Sequence, residues 1–365
     1  MAIRKAADVI VVGAGIFGLS CAWACLSRGM SVLVLERDTV ASGASGGVVG
    51  AMSPHTPAQW DDKKQFQFEA LRSAEAHWRE VEAVSGLASG YGRVGRLLPL
   101  RSERERALAE KRIELARELW GNDASWNVVG SDASREWLNP DAAPFGLVSE
   151  TLSARINPAA ACAALATAFR ARGGEIHEDC EVLNVEPGRV ETSSGPIAGN
   201  AIILAAGADG FTRFGPDGAA GEKGQAALLH CSSRPNGAPL IYHDGIYVVA
   251  QANGDVAVGS TNERVWSDLK PDDLLEDVIA RARQFCPLLE TATVVERWAG
   301  IRPRAPRRDP MLGRMPDMPK VFLANGAFKI GFGIAHKVGE VLADLVEDKH
   351  VDLPHSFTLA YHMRK

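Results

Sequence analysis

Residues 9–36 constrain the fold of this chain more than any other stretch. Val9-Ile10-Val11-Val12 is a short unbroken apolar run, the pattern of a strand buried on both faces. Gly13-Ala14-Gly15-Ile16-Phe17-Gly18 follows directly, and 16–28 reads as a helix stopped by Gly29. Ser31-Val32-Leu33-Val34-Leu35-Glu36 reads as a second strand. Together they predict a βαβ unit with a parallel sheet. In a chain with 36 glycines a bare GxGxxG means little, but between a strand and a helix each glycine has a physical task. The first permits a tight turn, the second lets backbone approach a pyrophosphate, and the third lets the helix pack closely on the strand. The helix N-terminus then offers N–H groups and a positive dipole end to phosphates. Glu36, with Arg37 beside it, is placed to accept hydrogen bonds from a ribose 2′-OH, and its charge repels a 2′-phosphate. This unit also accounts for the opening of the chain better than a secretory leader does. Arg4 and Lys5 before an apolar run imitate one, but the glycines break the run.

With 365 residues, 46% of them hydrophobic, the chain can bury one large or two intertwined domains. A net charge of −5 argues against nucleic acid as a partner, and no apolar run is long enough to span a membrane. Cys21, Cys25, Cys162, Cys180, Cys231 and Cys286 form no CxxC pair, and no histidines stand at metal spacing. Reduced thiols, a cytoplasmic setting and no metal are expected. Cys21 and Cys25 fall on one helix face.

Further along, 42–50 is a glycine-rich loop, and 62–84 and 103–120 read as amphipathic helices. Asn157-Pro158 caps and starts a helix to about Arg172, ended by Gly173-Gly174. Strands are expected near 176–185, 189–193 and 200–204. Two more, 246–250 and 256–260, flank Asn253-Gly254, a hairpin signal. Helix 271–285, strands 296–301 and 321–323, and a last helix over 333–347 complete the prediction. Helical and β-rich segments alternate in blocks, so one sequential cut into two domains does not suit the pattern.

Five segments now stand in a familiar order: Ser42-Gly43-Ala44-Ser45-Gly46-Gly47, Ile156-Asn157-Pro158, Ala205-Ala206-Gly207-Ala208, Gly259-Ser260-Thr261 and Gly300-Ile301-Arg302-Pro303. Through them, over nearly its whole length, the chain resembles the D-amino-acid oxidase/glycine oxidase family of FAD-dependent amine oxidoreductases. The run from Gly46 to Pro54 is similar to the glycine oxidases of thiamine biosynthesis. The resemblance implies an α/β fold (α+β overall): a Rossmann-type FAD-binding domain (1–58, 153–224 and 297–365) and a discontinuous substrate domain (59–152 and 225–296) on a mainly antiparallel sheet with helices. It places Ser42 to Gly47 and Val48 around the flavin ring and pyrophosphate, where glycine lets backbone approach a flat ring. It places Val182 at the adenine, Ala206 and Gly207 at a strand end beneath the cofactor, and Gly300 beside the ring. Lys329-Ile330-Gly331-Phe332-Gly333 then leads into the last helix, whose dipole would face the flavin N1–C2=O edge. The segment after Arg302 has no cysteine of the kind that carries covalent flavin, so FAD is expected to be non-covalent.

The resemblance implies oxidative deamination of a small amino acid or N-substituted glycine. Hydride passes from Cα to flavin N5, the imine hydrolyses, and O2 is reduced to H2O2. The protein's main task is to clamp the carboxylate and fix Cα. Arg302 matches the family's substrate arginine, and its planar fork suits a carboxylate. Arg304, Arg307, Arg308 and Arg314 nearby read as a solvated basic loop. Tyr247 matches the substrate-binding tyrosine. Two departures stand out. Lys329 replaces the arginine many relatives carry, keeping the charge and losing the fork. Ala257 stands where monomeric sarcosine oxidases have a lysine. His55, His243 and His336 are candidates to line the cavity, although a lone histidine is more often structural. A same-fold dehydrogenase passing electrons to a quinone or carrier protein, and a non-catalytic flavin-binding module, are the alternatives. An NAD-dependent dehydrogenase is a weaker one. The sequence is compatible with a homo-oligomer.

Overall fold

The chain runs through β1 (Ala6–Val12), α1 (Ile16–Ser27), β2 (Val32–Leu35), β3 (Ala51–Met52), α2 (Asp62–Ser85), β4 (Arg96–Pro99), α3 (Glu103–Trp120), β5 (Trp126–Val129) and β6 (Leu147–Glu150). It continues through β7 (Ala154–Arg155), α4 (Pro158–Ala171), β8 (Glu175–His177), β9 (Val182–Glu186), β10 (Arg189–Thr192), β11 (Gly195–Leu204), α5 (Gly207–Phe214) and β12 (Ala220–His230). The last part is β13 (Leu240–His243), β14 (Ile246–Ala250), β15 (Val256–Gly259), α6 (Asp273–Phe285), β16 (Thr293–Arg304), β17 (Met311–Arg314), β18 (Val321–Asn325), α7 (Gly331–Val346) and α8 (Leu359–His362). The structure, a computed structural model, describes residues 5–215, 217–233 and 235–363. Arg4, half of the basic pair before β1, lies outside them.

The first sheet has the order β17-β18-β11-β1-β2-β8, with β10 and β9 added beyond β11. β1 pairs parallel with both β2 and β11, and β11 with β18. Val9, Val11, Val32, Val34 and Ile203 face one core, against Leu19 of α1, Trp78 of α2, Phe169 of α4 and Leu342 of α7. Ile10, Val12, Leu33, Leu35, Ile202 and Leu204 face the opposite core. Both faces are covered, which is why the strand sequences are continuously apolar. α7 lies against α1 so closely that a Cβ on Gly339 would sit 2.3 Å from the carbonyl oxygen of Ser20.

The second sheet, β16-β12-β15-β14-β13-β4-β6-β5, is antiparallel except where β13 runs parallel to β4. Val248 and Val258 face a core under α6, with Leu275 and Ile279. Val249 and Ala257, one residue out of phase, pack on the other face with Tyr247 and with Val48 and Val49 of the glycine loop. The period of two thus turns Tyr247 away from α6. The expected hairpin is present, with Gly254 at φ +89°.

Several sequence expectations change. The strand expected near 176–185 is two, β8 and β9, separated by a turn with Asp179 at φ +53°. β11 ends at Leu204, so Ala206 and Gly207 do not end a strand: Gly207, at φ +59°, opens α5, a helix not foreseen. β12 and β16 run unbroken through 224/225 and 296/297, where domain boundaries were drawn. All six cysteines are buried and free. No helix among the described residues is long and apolar enough to cross a membrane.

His336, a cavity candidate, instead lies buried between α7 and α2. Its Nε2 is 2.9 Å from Ser73 Oγ and its ring stacks on His77 at 5.0 Å. Burial pushes His336 down to about 3 and His77 to about 4. In the unfolded chain both titrate near the ordinary value of 6.5. The unfolded state therefore binds protons first as pH falls. The stability from this pair is complete above about pH 6.5 and declines progressively towards about pH 4 for His77 and about pH 3 for His336. His336→Gln is expected to flatten that part of the stability–pH curve, read by urea unfolding at several pH values. An unchanged slope would mean the pair is not responsible.

Candidate active site

The carboxyl ends of β1, β2, β11 and β18 open onto one cavity of about 860 Å³, the position where open α/β sheets bind ligands. It is lined at one end by Gly13, Gly15, Ile16, Phe17, Glu36, Arg37, Val182, Ala206 and Gly207. Ser42, Gly43, Ala44, Ser45, Gly47 and Val48 form a wall, and Tyr247, Gly300, Arg302, Lys329, Ile330, Gly331, Phe332 and Gly333 complete the lining. Three expected cofactor residues do not line it. Ala14 is fully buried and donates its N–H to Glu36 Oε2 at 2.7 Å. Gly18 and Gly46 allow backbone contact: a Cβ would lie 1.9 Å from Gly13 O and 2.6 Å from Ala41 O, respectively. They shape the turn rather than touch what fills it.

The donors present suit FAD. Gly15 stands at the N-cap of α1 and offers no side-chain cap, and the Ile16 N–H donates to Ser45 Oγ at 2.9 Å. A Cβ on Gly15 would meet that oxygen at 3.1 Å, so the space before the helix is kept clear by glycine. α7 likewise begins without a side-chain cap and opens onto the cavity through Gly331. Two helix N-termini thus converge, one suited to a pyrophosphate and one to an electron-rich ring edge. Glu36 is oriented by the amides of Ala14 and Asp38, and Arg37 pairs with Asp209 of α5 at 2.7 Å across that end of the cavity.

Arg302 projects from β16 on the same face as Gly300 and Trp298, since a Cβ on Gly300 would strike the indole at 2.4 Å. Its Nη1 donates to Ser260 Oγ at 3.0 Å and its Nη2 to Thr261 O at 2.5 Å and Lys223 O at 3.3 Å. Nε has no hydrogen-bond partner. Burial lowers the guanidinium pKa, opposed by Glu222 and Glu263. Gly224 on β12 makes this pose possible, because a Cβ there would sit 2.1 Å from Nη2. Lys329 is exposed to the cavity. Its pKa is lowered by partial burial, then by Arg302, with Glu222 opposing and Arg308 adding to the fall. The Tyr247 ring packs at a tilt against that of Tyr242, centroids 4.5 Å apart, and its hydroxyl accepts from Arg96 at 3.3 Å. Arg96 is itself buried against Glu150 at 3.0 Å.

Arg304, Arg307, Arg308 and Arg314 do not line the cavity. Arg304 lies 3.9 Å from Glu222, Arg307 covers the Tyr361 ring, and Arg314 pairs with Asp348. His55 does line the cavity, hydrogen-bonded to Gln67. His243 does not: it packs edge-on against Phe285 on the α6 side. Gly224, Trp298, Tyr242, Arg96 and Gln67 were not anticipated. For Gly224, a glycine inside a strand was the available signal of a close approach.

The sequence matches the family described as DAO, FAD dependent oxidoreductase, over residues 8–345. It is 26% identical to glycine oxidase of Bacillus licheniformis over 94% of each chain. It is 28% identical to glycine oxidase of Pseudomonas aeruginosa over 93% of this chain and 95% of that one. The fold superimposes on the crystal structure of glycine oxidase from Geobacillus kaustophilus with a TM-score of 0.87, covering 98% and 99% of the two chains at 22% identity. The chain therefore belongs to the DAO family of FAD-dependent oxidoreductases, as an amino acid oxidoreductase of glycine oxidase type that takes FAD as its cofactor.

Proposed function

We propose that the enzyme oxidatively deaminates a small amino acid or N-substituted glycine, with O2 as electron acceptor. The observation that carries this reading is Arg302, held on a strand by three acceptors inside the cavity that α7 opens onto. Bound FAD supplies a two-electron acceptor for the hydride on the substrate Cα. The chain's own contribution is orientation. The Arg302 guanidinium attracts the carboxylate through its charge and the N–H groups left free on Nε and Nη1, which fixes Cα. The Tyr247 hydroxyl, steadied by Arg96, stands as a second contact from the opposite strand pair. Ser42, Gly43, Ala44, Ser45, Gly47 and Val48 form the wall that would hold the flavin ring. On this reading the first sheet serves the cofactor and the second the substrate. The glycine oxidase activity named for the relatives agrees with a small substrate.

An anaerobic absorbance titration with glycine, sarcosine and D-amino acids tests the proposal. At least one is expected to bleach the flavin, and air is expected to restore it with release of peroxide. No bleaching by any of them would sink the reading. Flavin that stays reduced for minutes in air would replace O2 with another acceptor.

A further inference from the structure

Four Lys or Arg side chains line the cavity: Arg37, Arg213, Arg302 and Lys329. Arg37 is paired with Asp209 and Arg213 with Glu181, both at the end where Glu36 lies. The carboxylates lining the cavity, Glu36, Asp38, Glu181 and Asp209, all belong to that end. At the other end, Arg302 and Lys329 have no ion pair among the described residues, and Lys329 makes no hydrogen bond through its ammonium. The two are held together by the chain itself. The Phe328 N–H donates to Pro303 O at 3.1 Å, tying the loop before α7 to the end of β16. The ring of Phe328 then lies under both cations, with Arg302 Cζ 5.8 Å and Lys329 Nζ 5.6 Å from its centroid.

One carboxylate is enough to balance the charge of Arg302. A second cation beside it, exposed to the cavity and in no ion pair among the described residues, is free to take a second anion that comes with the substrate. Burial first, and then the charge of Arg302, lower the pKa of the Lys329 ammonium, with Glu222 opposing. We infer that the substrate is a dicarboxylic amine, either an acidic amino acid or an N-carboxymethyl amino acid, whose second carboxylate pairs with Lys329. Lysine suits that task because a flexible point charge accepts carboxylates at several positions, whereas the fork of Arg302 fixes the one next to Cα. The inference rests on the proposed role of Arg302 and deepens it.

Calorimetric titration of the FAD-loaded protein with succinate and with propionate tests it without turnover. Succinate is expected to bind at least tenfold more tightly. Lys329→Met is expected to erase that preference and Lys329→Arg to keep it. Equal affinity for the two acids, or no binding of either, overturns the inference. So does a Lys329→Met variant that alters the flavin spectrum and leaves the preference intact, which would assign Lys329 to the cofactor. In turnover, D-aspartate against D-alanine and N-carboxymethylglycine against sarcosine should show the same preference in kcat/KM. Reduction of the flavin by none of these amines, with succinate still preferred, would overturn the oxidation reading alone.

Discussion

Arg302→Met is expected to lower kcat/KM for the amine substrate by about 10² to 10⁴-fold while the protein stays yellow. Two hydrogen bonds to a charged carboxylate are worth about 1.5–3 kcal/mol each, and each 1.4 kcal/mol is about tenfold. Arg302→Lys keeps the charge without the fork and should recover only part of the loss. The guanidinium also serves Thr261 O and Lys223 O, so the Met variant loses about 1–3 kcal/mol of stability by leaving acceptors unpaired. Stopped-flow reduction therefore has to be read beside flavin content and unfolding midpoint. Gly224→Ala provides the independent check, because it leaves Arg302 in the sequence and displaces it in space. Its kinetic loss should approach that of Arg302→Met. Rates within about threefold of the parent in both variants would put the carboxylate elsewhere.

The second large effect is at Gly15. Asp in its place is a favourable N-cap, and the backbone there, φ −77° and ψ 178°, is open to any residue. The helix should therefore gain rather than lose. Yet the carboxylate would stand where the pyrophosphate is received, with its Cβ already 3.1 Å from Ser45 Oγ. Like charge at this point costs several kcal/mol in a partly buried site. Gly15→Asp is expected to purify colourless and folded, with FAD affinity down by about 10³-fold or more, which is about 4 kcal/mol. Circular dichroism and flavin fluorescence measure the two separately. A yellow variant would show that the α1 N-terminus does not receive the phosphates.

The nucleotide half of the site was readable because its signals are local. Val9 to Glu36 holds a strand, a glycine turn, a capping break and a second strand in continuous order, and both sheet faces demand apolar residues. The Asn157 cap, whose side chain accepts from Ala160 N, was readable for the same reason. α5 was not. Gly207-Ala208-Asp209-Gly210-Phe211-Thr212-Arg213-Phe214 contains two glycines, which disfavour a helix. It is held by Phe211 in the core and by Arg213 reaching Glu181 and the carbonyl of Val182. Those contacts join residues some thirty positions apart and leave no periodic trace. The same holds for Arg96 under Tyr247 and for Gln67 under His55, each brought in by another element.

Five arginines lie between 302 and 314, and their spacing ranks none of them. By itself the sequence determined a dinucleotide-binding βαβ unit and, by resemblance, a carboxylate arginine at Gly-Ile-Arg-Pro. Only the tertiary structure decided that Arg302 alone of the five enters the cavity, and that Lys329 joins it there in no ion pair among the described residues. The physical reason is register. β16 and β12 pair so that Gly300 faces Gly224, and the β16 pleat then points 298, 300 and 302 inward together. A pairing between distant strands is set by packing across the whole sheet, and no local pattern of residues encodes it.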